Sequence, residues 1–135
     1  MLNIPKWINS EEAYIRGNNF TVAVKHWIDS FGKHHWNVYA HIFPGHSIFE
    51  GLENRLSGCP LPLHDYCSYS HFDFNAKGLC VCKSFGSDYD HLHDDYTEVS
   101  DIKFTPVMAD AHKLYTFLER YKKKEPNENN SSQVD

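Results

Sequence analysis

No stretch of this chain approaches the ~20 consecutive apolar residues that a helix needs to cross a bilayer, so no helical membrane anchor is expected. The opening Met1-Leu2-Asn3-Ile4-Pro5-Lys6 also lacks the apolar run of a secretory signal. Without export the compartment is reducing. Cys59, Cys67, Cys80 and Cys82 are therefore expected as free thiols. Cys80-x-Cys82 is not the C-x-x-C spacing of redox or zinc sites. On a strand its two side chains share a face, as small buried residues do. An excess of basic charge is missing too. Lys and Arg number 13 against 18 Asp and Glu, a formal charge of −5. That excludes broad binding to a phosphate backbone, which needs a basic surface. There is no nucleophile elbow, no P-loop and no dinucleotide glycine fingerprint. No internal repeat is present.

What remains is a ring-rich chain of 135 residues with 15% aromatics. That length supports one core without metal or disulfide help. The expected division is one globular domain over 1–124 and a disordered polar tail over 125–135, where apolar residues are almost absent. Ser10 to Arg16 reads as a short helix, with Ser10 as N-cap, acids in the first turn and Gly17 as the stop. Phe20 to Ile28, Trp36 to Phe43, Leu63 to Phe74 and Leu79 to Phe85 read as strands. Asn75-Ala76-Lys77-Gly78 is a hairpin turn. Residues 47–57 read as a short helix or an irregular connection anchored by Ile48, Phe49, Leu52 and Leu56. Thr105-Pro106 opens a helix whose buried stripe is Val107, Ala111, Leu114, Leu118 and Tyr121. The order predicts an α+β fold: an antiparallel sheet, a C-terminal helix packed on one face and a short N-terminal helix.

The densest chemistry lies in Gly86-Ser87-Asp88-Tyr89-Asp90-His91-Leu92-His93-Asp94-Asp95. Four carboxylates and two imidazoles so close together are costly unless water, a cation or a phosphorylated ligand satisfies them. The even spacing of Asp88, His91 and Asp94 can aim all three groups inward. Carboxylates beside imidazoles suit acid–base work, or a shared divalent ion such as zinc, manganese or iron. The bland alternative is a solvated acidic loop. His46 and His64 each follow a strand boundary, next to turn-forming residues. Either can complete an ion's ligand set, or simply hydrogen-bond a carbonyl at a strand end. Tyr66, Ser68, Tyr69 and Ser70 add hydroxyls along one strand, and His34-His35-Trp36 is a further polar cluster.

Three motifs then carry a resemblance. Gly45-His46-Ser47-Ile48-Phe49, His64-Asp65-Tyr66-Cys67-Ser68-Tyr69-Ser70 and Gly86-Ser87-Asp88-Tyr89-Asp90-His91-Leu92-His93-Asp94 occur in that order before a terminal helix. The pattern resembles a family of small proteins of tailed bacteriophages, with Gly-His-Pro-Leu-Tyr, His-Gly-Gly-Leu-Thr-Tyr-Ser and Gly-Phe-Asp-x-x-His-x-Gly-Asp. The similarity covers residues 35 to 121, about two thirds of the chain. Asp65-Tyr66 stands where the pattern has Gly-Gly, and His93 stands where it has Gly. The resemblance implies a phage origin, the cytoplasm of an infected host, and a shared site at His46, His64, Asp88, His91 and Asp94. It implies no activity by itself.

The resulting expectation is a His/Asp pocket that binds a nucleotide-like or phosphorylated small molecule, countering host defence, and hydrolyses it with a divalent metal. His46, or His64 in its place, would hold the ion with Asp88 and His91. His64 and Asp94 would serve as base or orienting group. Trp36, Tyr66 and Tyr69 would stack a base, and Ser68 would hydrogen-bond the ligand. The alternative is a non-enzymatic acidic inhibitor that docks on a basic, nucleic-acid-handling host protein.

Overall fold

A computed structural model describes residues 10–89 and 105–122. Five strands form one sheet: β1 (Ser10–Gly17), β2 (Phe20–Ile28), β3 (His34–Ile42), β4 (Tyr69–Phe74) and β5 (Cys80–Asp88). Their order across the sheet is β1-β2-β3-β5-β4, and every neighbouring pair is antiparallel. One helix, α1 (Thr105–Arg120), closes the described chain. The α+β reading with helix cover on one face therefore holds.

Alternation decides which side is buried. Val22 and Val24 on β2, Trp36, Val38, Ala40 and Ile42 on β3, and Phe85 on β5 all turn to the helix face. Val107, Ala111, Leu114 and Leu118, one helical turn apart, pack onto them with 1% exposure or less. Burying each large aliphatic side chain contributes about 1.5–3 kcal/mol. Tyr121, also expected in the stripe, is half-buried.

The expected N-terminal helix is a strand. Glu11, Ala13 and Ile15 stand opposite His26, Val24 and Val22, while Glu12, Tyr14 and Arg16 alternate onto the other face. The two-residue Asn18-Asn19 turn, with Asn19 at φ 65, folds β1 back on β2. Eight residue pairs with β2 outweigh an N-cap signal worth about 1 kcal/mol. The strand expected from Leu63 begins only at Tyr69. A tight turn interrupts the earlier stretch: Tyr66 N–H donates to His64 O at 2.7 Å, and Asp65 between them has φ 57. Residues 43–68 form a long connection tacked to the core by Ile48, Phe49, Leu52, Leu61 and Cys67, with a single 3-10 turn at Phe49–Gly51. The tail at 125–135 and most of the acidic stretch, with Asp90, His91, His93, Asp94 and Asp95, lie outside the described residues.

Candidate functional site

Among the described residues, His64 is the one histidine selected in the sequence that the fold sets among carboxylates outside the strands. Its backbone N–H donates to Ser87 Oγ at 3.3 Å, and Ser87 is 1% exposed. This ties the connection to the end of β5. The His64 ring stacks on Tyr89 with centroids 4.1 Å apart and planes 13° from parallel. Asp110 Oδ2 approaches Nδ1 at 3.7 Å, and Asp65 Oδ2 approaches Nε2 at 3.9 Å. Tyr89 O–H donates to Asp110 Oδ2 at 2.6 Å, so the stacking partner also fixes the carboxylate. The imidazole side chain is 17% exposed, Asp65 32% and Asp110 38%. The group is therefore within reach of solvent without being bathed in it.

Each member has a local cause. Asp110 sits three residues after Val107 and four before Leu114, at the edge of the buried stripe of α1. Tyr89 extends β5 by donating its N–H to Trp36 O at 3.1 Å. Asp65 takes a left-handed backbone, which glycine adopts freely and aspartate tolerates. The phage pattern has glycine there, and here the turn carries an acid. Asp110 was missed in the sequence. The available signal was helical spacing, which sets an acid beside an otherwise apolar stripe.

The other selected residues are dispersed. His46 does not belong to an ion site with Asp88. It is 9% exposed, its Nε2 donates to Leu118 O at 2.8 Å, and its Nδ1 accepts the Ile48 N–H at 3.1 Å. Both ring nitrogens thus serve backbone groups that would otherwise be buried unsatisfied. Asp88 stands opposite Asn37, on the sheet face away from α1. Asn37 is five positions before the end of β3, roughly 16 Å along the strand from the end where His46 lies. Trp36 is 0% exposed and stacks on His26 at 4.4 Å inside the core, which removes it from base stacking. Ser68 is a backbone tie: its Oγ accepts the Asp88 N–H at 3.1 Å and its own N–H donates to Gly86 O at 2.9 Å. Tyr69 lies on the face away from α1, edge-on to Tyr39. Tyr66, 61% exposed, is joined to His64 through the tight turn. His91 and Asp94 lie outside the described residues.

Among the described residues no three His, Cys, Asp or Glu side chains are grouped to hold a metal ion. The two carboxylates approach opposite nitrogens of His64. One ion bound to that ring cannot take both at these positions. No described helix is long and apolar enough to cross a membrane. No protein-family model, curated protein or solved structure matches the chain.

Proposed function

We propose that His64, Asp110, Asp65 and Tyr89 form a site for a phosphorylated, nucleotide-like small molecule. The observation that carries this reading is an imidazole stacked on a tyrosine and flanked by a carboxylate at each nitrogen. Asp110, held by the Tyr89 hydroxyl, is an electrostatic partner 3.7 Å from Nδ1, and the Tyr89 ring sets the imidazole plane by stacking. At Nε2 the ring N–H would donate to a phosphoryl oxygen of the ligand. Asp65 is at 3.9 Å from Nε2, beyond hydrogen-bond length. An incoming phosphoryl oxygen would compete with it for the ring N–H at that nitrogen. The exposed ring of Tyr66, one turn away, offers a face for a base. The phage-like motifs suggest a nucleotide signal of host defence as the ligand. A divalent ion, when bound, supplies positive charge to a phosphoryl group beside carboxylates.

Calorimetric titration with adenosine monophosphate, cyclic adenosine monophosphate and inorganic phosphate, each with and without manganese, tests the site. Binding should weaken about tenfold or more in His64→Ala and Asp110→Asn, the loss of one charge-assisted contact or of its electrostatic partner. Absence of binding by all three probes, or equal affinity in both variants, would sink the proposal. Capture of a basic protein that survives both substitutions but fails after charge reversal of acidic surface residues would favour the inhibitor reading.

A further inference from the structure

Two of the four cysteines are brought together by the connection that carries His64. On an extended chain Cys59 and Cys67 would stand ~26 Å apart. Two tight turns return the chain on itself: Leu63 N–H donates to Leu61 O at 2.9 Å, and Tyr66 N–H to His64 O at 2.7 Å. Both cysteines then meet beside Phe85. Cys59 and Phe85 line one open recess. Ser68 donates its N–H to Gly86 O at 2.9 Å, which seats the preceding Cys67 next to the same ring. Cys67 belongs to the buried core, and Cys59 packs against that core. The two thiols share a hydrogen bond.

Their surroundings give the pair an order of reaction. Cys59 is half-buried and borders the recess, so an oxidant meets it first. Residues 53–58 before it are exposed, which leaves Cys59 to make the movement that closes a bond of ~2.05 Å. Cys67 is 7% exposed and its thiol donates to Tyr69 O at 3.1 Å, so it is held in place as the second thiol. Burial pushes the Cys59 thiol up, and the Leu61 N–H on its sulfur offsets only part of that. A thiolate so poorly stabilised forms rarely, but the same cause makes the disulfide hard to reduce once formed. Cys80 and Cys82 are placed differently. Their sulfurs meet Cys82 O at 3.6 Å and Ser84 Oγ at 3.5 Å, contacts that run along β5 rather than from sulfur to sulfur.

We propose that Cys59 and Cys67 form a reversible disulfide, with a small disulfide such as oxidised glutathione as oxidant, and that this bond staples the loop carrying His64 and Asp65. The Cys59 thiolate attacks one glutathione sulfur and breaks its S–S bond. One glutathione leaves and takes up the proton that Cys59 lost. The Cys67 thiolate then attacks the Cys59 sulfur, and the second glutathione leaves with the Cys67 proton. Two cysteine thiols are oxidised while one glutathione disulfide is reduced to two thiols. The closed loop spans residues 59–67, so the turn at Asp65 and the His64 ring lose freedom together. The bond itself does not depend on any ligand at His64; only its use as a control on binding there rests on that reading.

Trypsin separates the two cysteine pairs. Cleavage after Arg55, Lys77 and Lys83 leaves Cys59 and Cys67 in peptide 56–77, and Cys80 and Cys82 in peptide 78–83. The folded full chain is equilibrated with graded ratios of oxidised to reduced glutathione, quenched in acid, alkylated, digested and weighed by mass spectrometry. Peptide 56–77 should lose the mass of two hydrogens and take no alkyl group, while peptide 78–83 is alkylated on both thiols. Cys67→Ser should instead leave glutathione attached to Cys59. Backbone amides of residues 63–66 should exchange with deuterium about tenfold more slowly in the oxidised chain. Peptide 56–77 with both thiols free at a ~100-fold excess of oxidised glutathione, or joined to peptide 78–83, would overturn the disulfide. Equal exchange in the two states would overturn the staple. His64→Ala should oxidise as the parent does, which separates this result from any failure of binding at His64.

Discussion

Lys83 gives the sharpest test of the packing that carries both ends of the sheet. It is 7% exposed on the helix face of β5, opposite Ile42 and Phe72. Its Nζ donates to Phe49 O at 2.7 Å and Leu52 O at 3.0 Å, and sits 4.4 Å and 5.0 Å from the ring centroids of Phe49 and Phe72. No carboxylate pairs with it among the described residues. The ammonium thus ties down the 3-10 turn in the 43–68 connection. Lys83→Met keeps most of the volume and removes the charge. Two hydrogen bonds from a charged donor are lost, about 1.5–3 kcal/mol each before compensation. Phe49 O keeps one bond, from Leu52 N–H at 3.3 Å, while Leu52 O loses the only one it has among the described residues. Against this, the variant no longer strips water from an ammonium ion, which recovers several kcal/mol. The balance leaves a destabilisation of about 2 kcal/mol, or roughly 8 °C in Tm for a chain of this size. Urea unfolding followed by the emission of buried Trp36 measures it. A Lys83→Met protein as stable as the parent, or more so, would show that desolvation outweighs the two carbonyl bonds and would refute the anchoring argument.

Gly86→Ala should destabilise the sheet by about 1–3 kcal/mol, because a Cβ there would lie 2.4 Å from the Tyr39 ring and 3.0 Å from Val38 O; unchanged urea stability would contradict it. Burial holds His41 below its ordinary 6.5, so the unfolded chain takes the proton first as pH falls. Stability should therefore drop as pH falls through 6.5 and level off below the folded pKa, and His41→Gln should remove that slope from the pH dependence of the unfolding midpoint. Asp29, lowered from 3.8 chiefly by its hydrogen bond to His35, acts in the same direction at lower pH: its contribution is present above 3.8 and lost as pH falls through the folded value. Burial pushes the Cys59 thiol up to about 11 from 9.0. At pH 8 its thiolate share falls ~100-fold, while the more basic sulfur gains ~10-fold in nucleophilicity, so alkylation by iodoacetamide should run ~10-fold slower than for an exposed thiol; an equal rate by mass spectrometry would contradict this.

Legibility followed how local each signal was. Val22, Val24, Trp36, Val38, Ala40 and Ile42 could be assigned to one face because alternation alone sorts them, and the stripe of α1 because it repeats each turn. Ser10 to Arg16 forms a strand rather than a helix because its cap and acids are local signals, whereas its partners Thr21 to Trp27 are supplied by the hairpin. Histidines were harder still. The chain has ten, and several described ones find a partner only through folding. His26 bonds Glu11 and His34, His41 bonds Ser84, and His46 bonds two backbone groups. Nothing in the residue type separates these from His64.

The misplacement of the site has a topological cause that the sequence already contained. An antiparallel sheet sends neighbouring strands in opposite directions, so the ends of β3 and β5 lie at opposite edges of the fold. Gly45-His46 follows β3, and Asp88-Tyr89 closes β5. Turn motifs after successive strands converge in a parallel sheet, where all C-terminal ends face one crevice. Here they must diverge. His64 escapes this rule only because the 43–68 connection leaves the His46 end and reaches Ser87 at the other. Ser87→Ala should therefore weaken whatever binds at His64 while leaving the His46 end unchanged. Equal disturbance of amide shifts at both ends would show that the two are coupled through the core rather than separated by the strands.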